Sequence, residues 1–106
     1  MIGFACKDGV ILATEKILVS KLQAKSSDRR IFAVDEHIII GICGWIPDGM
    51  LVISRARMEC ENSRSNFGVP ISGQILTQRL ANFVHAHTLY GSYRPLGCEL
   101  FVICQE

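Results

Sequence analysis

Two histidines separated by one residue, His85 and His87, are the residues of this chain whose type and spacing could bind a metal ion. Cys98 follows them after a short loop, and protein zinc sites use histidine and cysteine ligands. The apolar residues around the histidines recur with a helical period, however, and helix positions i and i+2 point about 200° apart. We therefore predict that both histidines are structural and that the chain holds no metal ion or cofactor.

A cysteine paired with a histidine could also form a nucleophilic site. No asparagine or aspartate stands in a recognisable motif beside such a pair, and the cysteines lie in apolar or helical segments. Their odd number and the absence of a C-x-x-C pair indicate free thiols in a reducing compartment. The five are Cys6, Cys43, Cys60, Cys98 and Cys104. We predict no catalytic residue among them.

Length and charge exclude several classes of protein. A chain of 106 residues forms at most one small domain. Eleven basic and ten acidic residues are spread along it, so no basic stripe predicts a nucleic-acid partner. The longest apolar run, Ile38 to Pro47, is shorter than the ~20 residues that cross a bilayer, which predicts no membrane partner.

The first third of the chain has the pattern of a β-hairpin followed by a loop. Ile2 to Cys6 and Val10 to Thr14 are β-prone runs on either side of Asp8-Gly9, where glycine is expected to supply the positive φ of the turn. A further run, Ile17 to Leu22, continues the extended pattern. The polar segment Gln23 to Arg30 predicts a solvated loop.

A second hairpin is predicted from Ile31 to Val34 and from His37 to Cys43, with its turn at Asp35-Glu36. The stretch IIIGICG has no alternation of polar and apolar residues. Such a run is typical of a strand that is buried on both faces.

Two helices and a strand are predicted after Pro47. The first helix has Asp48 as its N-cap and ends near Asn66 to Gly68, where glycine suits the C-terminal cap. The second helix has Ser72 as its N-cap and ends at Tyr90-Gly91. The second helix carries an apolar stripe composed of Leu76, Leu80, Phe83, Val84 and His87. A final strand follows from Glu99 to Cys104. Strands, paired helices and a returning strand indicate an α+β fold.

Four stretches of this sequence resemble α-type subunits of the 20S proteasome, and their order and spacing match that family across the whole chain. They are GVILATEK (Gly9 to Lys16), RIFAVDEHI (Arg30 to Ile38), RSNFG (Arg64 to Gly68) and FVHAHTLYGSYRPLGC (Phe83 to Cys98). The resemblance implies that residues 1–106 form one partial α-type domain. Its fold would be the four-layer α-β-β-α sandwich of the N-terminal-nucleophile hydrolases, of which this chain has the first half: two β-hairpins, two helices and one strand.

On this resemblance, the histidine stretch is the end of the second helix and the loop that returns to the sheet. Arg94, Pro95 and Gly97 then belong to a structural motif in that loop. The run CGWIPDGM, Cys43 to Met50, departs from the Ser-Gly-Leu-x-Ala-Asp-Ala-Arg-like run typical of the family. Its proline and second glycine make the start of the first helix atypical.

The related β-type subunits are threonine proteases that combine an N-terminal threonine with an aspartate and a lysine. By resemblance, the threonine position lies upstream of Met1, the aspartate position holds Glu15 and the lysine position holds Arg30. Arginine keeps its proton at neutral pH and cannot act as a base. The resemblance therefore implies a non-catalytic subunit that contributes to ring assembly, substrate gating and docking of regulatory particles in ubiquitin-dependent protein degradation.

The resemblance also implies a binding role for Arg30. In α-type subunits, the basic residue before this strand lines a pocket between neighbouring subunits that receives the C-terminal tails of activator particles. The alternative is a solvated loop arginine, since Arg29 stands beside it. The implied partners are other α-type and β-type subunits and regulatory particles, and the implied location is the cytoplasm and nucleus.

Two other functions remain open. One is a proteolytic β-type subunit whose start was mis-defined, which the sequence upstream of Met1 would reveal. The other is a free-standing domain of the same fold, which its mass in solution would reveal. We also expect that the chain is not a self-sufficient monomer, because the strands at Ile38 to Cys43 and Glu99 to Cys104 would present apolar faces and unpaired edges to water.

Overall fold

Five strands and two helices make up the chain in a computed structural model that describes residues 1–105. In chain order they are β1 (Ile2–Cys6), β2 (Gly9–Ala13), β3 (Ile31–Asp35), β4 (Ile38–Gly44), α1 (Ile46–Phe67), α2 (Gly73–Leu89) and β5 (Cys98–Cys104). The strands form two antiparallel sheets, β1-β2 and β3-β4-β5. The predicted α+β pattern of two hairpins, two helices and a returning strand is confirmed.

The first hairpin is confirmed, but the role assigned to its glycine is wrong. Gly9 lies in β2 and pairs with Cys6, so the turn consists of Lys7 and Asp8. Within residues 1–105, positive φ occurs only at Gly44 and Gly68. The turn therefore forms with ordinary backbone angles, and Gly9 supplies no left-handed conformation.

The segment from Ile17 to Leu22 is not a strand, contrary to its extended pattern. It has no regular secondary structure and ends in a turn, and its apolar side chains are exposed, with Leu22 at 96%. A β-prone run becomes a strand only when a neighbouring strand satisfies its backbone groups. β2 pairs with β1 alone, so this segment has no partner in the described sheets.

The central strand β4 is buried on one face rather than on both. Ile38, Ile40 and Ile42 are fully buried against the helices, whereas Ile39 on the other face is 41% exposed. That other face is covered only in part by the first hairpin. A side chain at Gly41 would clash with Met1 and would bring its Cβ within 2.8 Å of Leu12 Cδ2, so the bare glycine lets the hairpin approach the sheet.

The helices pack on the opposite face of the three-stranded sheet and complete a three-layer order of helix pair, sheet and hairpin. The core between helices and sheet is apolar. Its buried members are Phe32, Ile38, Ile40, Ile42, Val52, Ile53, Ala56, Cys60, Ile71, Leu76 and Leu80. Neither helix is long and apolar enough to cross a bilayer, as judged over residues 1–105.

The predicted start of the first helix is wrong, and the other three helix ends are confirmed. α1 begins at Ile46, with Trp45 as its N-cap and Pro47 in the first turn, where the missing N–H of proline has no intrahelical partner to lose. Asp48 is therefore helical and not a cap. Gly68 ends α1 with φ 70°, and the Ser72 hydroxyl accepts the Ile75 N–H at the start of α2, which ends at Leu89 beside the predicted Tyr90.

Gly49 sets how closely α1 approaches the sheet. A Cβ at this position would clash with Cγ2 of Ile42 and would lie 2.7 Å from its Cδ1. Ile42 is fully buried and cannot move aside into solvent. The missing side chain at Gly49 therefore leaves the space that Ile42 occupies.

Gly49→Ala should lower the free energy of unfolding by up to about 2 kcal/mol. Overpacking costs about 1–3 kcal/mol and outweighs the gain of about 1 kcal/mol in helix propensity. In an Ile42→Ala background the clash is absent, so the same change should stabilise by up to about 1 kcal/mol. Urea denaturation of the four variants measures both effects, with Gly91→Ala, in open space, as a near-neutral control. Equal effects of Gly49→Ala in both backgrounds would contradict the steric explanation.

Candidate functional site

The histidine stretch is a structural junction, as predicted. The Nδ1–H of His87 donates to the carbonyl oxygen of Phe83, 3.0 Å away, and the His87 ring packs edge-on between the rings of Phe83 and Tyr93. His85 Nδ1 instead lies 3.2 Å from the hydroxyl of Thr88. The two imidazoles therefore have separate local partners. No group of three potential metal ligands occurs within residues 1–105.

The loop after α2 is held by an ion pair with the start of α1. Arg94 donates two parallel hydrogen bonds to the carboxylate of Asp48, each 2.7 Å long. The same carboxylate accepts the backbone N–H of Gly97 at 2.8 Å. The Asp48 side chain is 8% exposed and Arg94 is 66% exposed, so a carboxylate in the interior is neutralised from the surface. We name this group the Asp48–Arg94 clamp.

The electrostatics of the clamp favour the charged form of both partners. The hydrogen bonds from Arg94 and then from the Gly97 N–H lower the pKa of Asp48 to about 2 from its usual 3.8. The same carboxylate raises the pKa of Arg94 above its usual value. A carboxylate that accepts several donors is stabilised as an anion, because each donor interacts with the charge directly.

Backbone contacts join the clamp to the end of the central strand. The Trp45 N–H donates to the carbonyl oxygen of Gly97 at 2.8 Å, so Gly97 is bonded through both its N–H and its C=O. Gly44 has φ 90°, and a Cβ there would lie 2.6 Å from the Gly97 oxygen. The clamp therefore fixes where α1 leaves the sheet and where β5 enters it, which gives Arg94 and Gly97 of the predicted motif a physical role.

Arg30 lies beside the sheet, with its side chain 24% exposed. Its carbonyl oxygen accepts the Ile42 N–H at 2.8 Å, which fixes its backbone against β4. Its Nε is 3.7 Å from Asp28 Oδ1, too long for a hydrogen bond. Arg30 Nε and Asp28 Oδ2 are both buried atoms, and neither has a hydrogen-bond partner within residues 1–105. Glu15, by contrast, is exposed after the end of β2. Arg30 and Asp28 therefore form a long ion pair without a hydrogen bond.

The cysteines are free, as predicted. Burial, followed by the charge of Asp35, raises the pKa of the Cys60 thiol to about 11, and burial raises that of Cys98 as well. Thiols with a raised pKa form little of the thiolate that reacts as a nucleophile at neutral pH. These two cysteines therefore act as core side chains.

Sequence reasoning missed the clamp and a charged cluster between the helices. Asp48 was assigned to a helix cap, and nothing local in the sequence pairs it with a loop residue such as Arg94. The i,i+4 spacing of Arg55 and Glu59 favours an ion pair on one helix, and Arg55 Nη2 lies 2.6 Å from Glu59 Oε1. The second partner of Glu59, Arg79 at 2.8 Å, comes from the other helix and carried no sequence signal.

Asp48→Asn should lower the thermal stability of the chain at neutral pH, because the amide keeps one acceptor but loses the charge that Arg94 neutralises. The folded-state pKa of Asp48 is depressed, so its contribution is present above the usual 3.8 and is lost as the pH falls toward about 2. The stability difference between wild type and variant should therefore narrow across that interval.

Thermal melting of both proteins as a function of pH measures this difference in stability. The pKa values of Asp35 and Glu59 are lowered as well, but these residues are present in both proteins, so their effects cancel in the difference. Asp8→Asn, at the exposed first turn, is the matched control and should change stability little. A wild-type to Asp48→Asn difference that stays constant down to the lowest pH would contradict a stabilising charged clamp.

Comparison with known proteins identifies the family of this chain. A family model described as "Proteasome subunit" matches residues 1–105. Proteasome subunit alpha type-3 of Dictyostelium discoideum is 41% identical over 102 residues, which is 96% of this chain and 41% of that protein. The probable proteasome subunit alpha type-7 of Schizosaccharomyces pombe is 48% identical over 101 residues, 95% of this chain and 40% of that protein.

An archaeal relative extends the similarity: the proteasome subunit alpha of Thermococcus sibiricus is 38% identical over 101 residues, 95% of this chain and 39% of that protein. The chain thus spans about two fifths of the length of the curated relatives that it matches. Because one family model covers residues 1–105 and these relatives align over nearly all of it, the chain belongs to the proteasome subunit family.

Proposed function

We propose that this chain forms part of a non-catalytic α-ring subunit of the 20S proteasome. Such a subunit acts in ring assembly, substrate gating and docking of regulatory particles. The observation that carries the proposal is that the relatives named above are all α-type, at 38–48% identity over at least 95% of this chain.

The residue types at the catalytic positions of the β-type relatives support a non-catalytic role. Arg30, which stands at the lysine position by resemblance, keeps its proton at neutral pH and cannot act as a base. Its Nε lies 3.7 Å from Asp28 Oδ1. Glu15, at the aspartate position, is exposed on the far side of β2 from the turn.

The purified chain should not hydrolyse fluorogenic peptides, since it offers no base at Arg30. A fluorescence assay with a purified 20S proteasome as the positive control measures this. Turnover that co-purifies with the chain and is abolished by a threonine-directed inhibitor would contradict the non-catalytic role and favour a β-type protease.

A role for Arg30 in binding the C-terminal carboxylate of an activator is supported by its geometry. Its backbone is anchored to β4 and its side chain is partly exposed. A guanidinium presents five N–H donors, and the contact with Asp28 involves the buried Nε, which leaves the donors of the two Nη atoms for a second carboxylate. An incoming carboxylate would bind through two parallel hydrogen bonds, the geometry that arginine favours.

Arg30→Ala should weaken the association of an activator with assembled particles roughly 10- to 100-fold. A hydrogen bond to a charged group contributes about 1.5–3 kcal/mol, which corresponds to that range. The experiment expresses the tagged chain in Dictyostelium cells, isolates particles that contain it by sedimentation, and measures activator binding by surface plasmon resonance.

Arg29→Ala is the matched control, because Arg29 is exposed and adjacent. It should leave activator binding unchanged, and both variants should enter particles as the wild-type chain does. Unchanged activator affinity in Arg30→Ala would return this residue to the role of a solvated loop arginine. Failure of the wild-type chain to sediment with particles much heavier than its own 11.8 kDa would contradict the ring role itself.

The proposal also covers the partners of the chain and its location in the cell. The partners would be other α-type and β-type subunits and regulatory particles, with neither nucleic acid nor membrane involved. The location would be the cytoplasm and nucleus, where ubiquitin-dependent degradation takes place. The free cysteines support a reducing compartment, since thiols persist there.

A further inference from the structure

His37 lies where the turn between β3 and β4 meets the connection between the two helices. Its side chain is 23% exposed, and its Nε2 lies 2.8 Å from the carbonyl oxygen of Ile71. A carbonyl oxygen only accepts hydrogen bonds, so Nε2 carries the proton of the neutral ring. The other ring nitrogen, Nδ1, then has a lone pair and becomes a donor only when the imidazole binds a second proton.

Asp35, two residues earlier, offers an acceptor to that second proton. Its side chain is 8% exposed, and Arg64 Nη2 and the Glu36 N–H both donate to its Oδ1, at 2.6 and 2.8 Å. The other carboxylate oxygen, Oδ2, is buried and has no hydrogen-bond partner within residues 1–105. It lies 3.9 Å from His37 Nδ1. The unused acceptor and the unused nitrogen therefore lie beside each other.

The carboxylate of Asp35 is charged across the pH range in which histidine titrates. Burial acts to raise its pKa, but the hydrogen bonds from Arg64 and from the Glu36 N–H outweigh burial and lower the pKa from its usual 3.8. A buried, charged oxygen that lacks a donor is energetically unfavourable. A proton on His37 Nδ1 would supply the missing donor.

The other titratable groups around His37 do not oppose this contact. Glu36, on the same turn, is exposed, and its negative charge acts in the same direction as that of Asp35. On α1, burial and then the charge of Asp35 raise the pKa of Cys60 to about 11, so that thiol is neutral. The helix connection, residues 68–72, has no titratable side chain. The cavity of about 490 Å³ that His37 also lines has two opposite charges and two thiols on its other walls: Lys7, Asp8, Cys6 and Cys104.

We propose that Asp35 and His37 form a pH-sensitive latch between the sheet and the helix pair. When His37 binds a proton at Nδ1, the ring donates to Asp35 Oδ2 while its Nε2–H keeps the bond to Ile71. The turn is then joined to Arg64 on α1 through Asp35, and to the connection that leads to α2 through His37. When the proton leaves, the contact with Asp35 is lost and the bond to Ile71 remains. This proposal does not depend on membership of a proteasome ring.

The bonds of His37 reach both layers of the structure, so a change in its charge affects how the helices are held on the sheet. The backbone N–H of Gln105, after the end of β5, donates to the His37 carbonyl oxygen at 3.0 Å. On the helix side, Ile71 is a core residue that is 3% exposed. The Ser63 hydroxyl donates to the carbonyl oxygen of Val69 at 3.1 Å, which bonds the same connection to α1.

The sign of the pH dependence follows from which state holds the proton more tightly. The folded chain offers the protonated ring a buried carboxylate, which the unfolded chain does not hold in place, so protonation favours folding. The stabilisation should be present below the usual pKa of histidine, about 6.5, and should be lost as the pH rises above it. Asp35 stays charged throughout this interval, because its pKa is lowered.

A double-mutant cycle tests the latch by urea denaturation at about pH 5.5 and about pH 7.5. It compares the wild-type chain with Asp35→Asn, His37→Gln and the double variant, and the glutamine keeps an N–H donor for Ile71. The coupling between the two residues, expressed as a ratio of folding equilibrium constants, should be roughly 2- to 5-fold at the lower pH and close to 1 at the higher pH. Coupling that is the same at both pH values, or larger at the higher one, would contradict the latch.

His85→Gln is the matched control, because His85 is an exposed histidine whose Nδ1 lies near the Thr88 hydroxyl instead of a carboxylate. The stability of the wild-type chain relative to this variant should depend little on pH, whereas its stability relative to His37→Gln should fall roughly 2- to 5-fold as the pH rises. This comparison contains no Asp35 variant, so it decides the question even if Asp35→Asn does not fold. The same pH dependence for both histidines would rule out a special role of His37.

NMR of the nitrogen-labelled chain checks the position of the proton independently. Above about pH 8 the His37 ring should carry one proton, at Nε2, and below about pH 5.5 it should carry a proton on each nitrogen. A single proton at Nδ1 would overturn the proposal. Neutral His37 would then already donate to Asp35, and its titration would not change the contact.

Discussion

The buried carboxylate of Asp48 is the constraint on which the arrangement of the other elements depends. A carboxylate removed from water must be paired and hydrogen-bonded, because an unpaired buried charge is strongly unfavourable. Arg94 and the Gly97 N–H satisfy it from a loop that is distant in sequence. The position of that loop, and with it the first residue of β5, is therefore determined by the first turn of α1.

Two glycines near the clamp determine how closely the neighbouring elements pack. Gly44 allows the loop to pass close to the end of β4, and Gly49 allows the helix to lie directly on Ile42. The polar clamp and the apolar contact reinforce each other, since both require α1 to leave the sheet at the same angle. The atypical run from Cys43 to Met50 is thus internally consistent: Asp48 supplies the carboxylate of the clamp, and Gly49 leaves room for Ile42.

The parts of the fold that were predictable from sequence are those set by local interactions. Gly68 and Ser72 cap their helices through contacts within a few residues, so their types and positions were sufficient. The partial exposure of Ile39 could not be predicted, because it depends on how far a separate hairpin reaches over the sheet. Asp48 was misassigned for a related reason: its own turn suits a cap, and its true partner lies on another element.

The candidate functional residues show the same difference between local sequence patterns and contacts that depend on the fold. The sequence predicted an apolar stripe on α2 that includes Phe83 and His87, but the contact of His87 with the Tyr93 ring depends on how the following loop folds back. Arg30 was identified by resemblance alone, and the proximity of Asp28 is a property of the folded loop.

The pairing of Gly44 with Cys98 has a consequence for how the chain folds. It closes a loop that contains both helices, whereas β1-β2 and β3-β4 are joined by short turns. The local hairpins and helices can form early, but β5 gains its partner only after that loop has closed, and non-local pairing slows folding. Packing of the two helices against each other brings the ends of this loop closer together. The formation of β5 during synthesis therefore depends on the packing of α1 on α2.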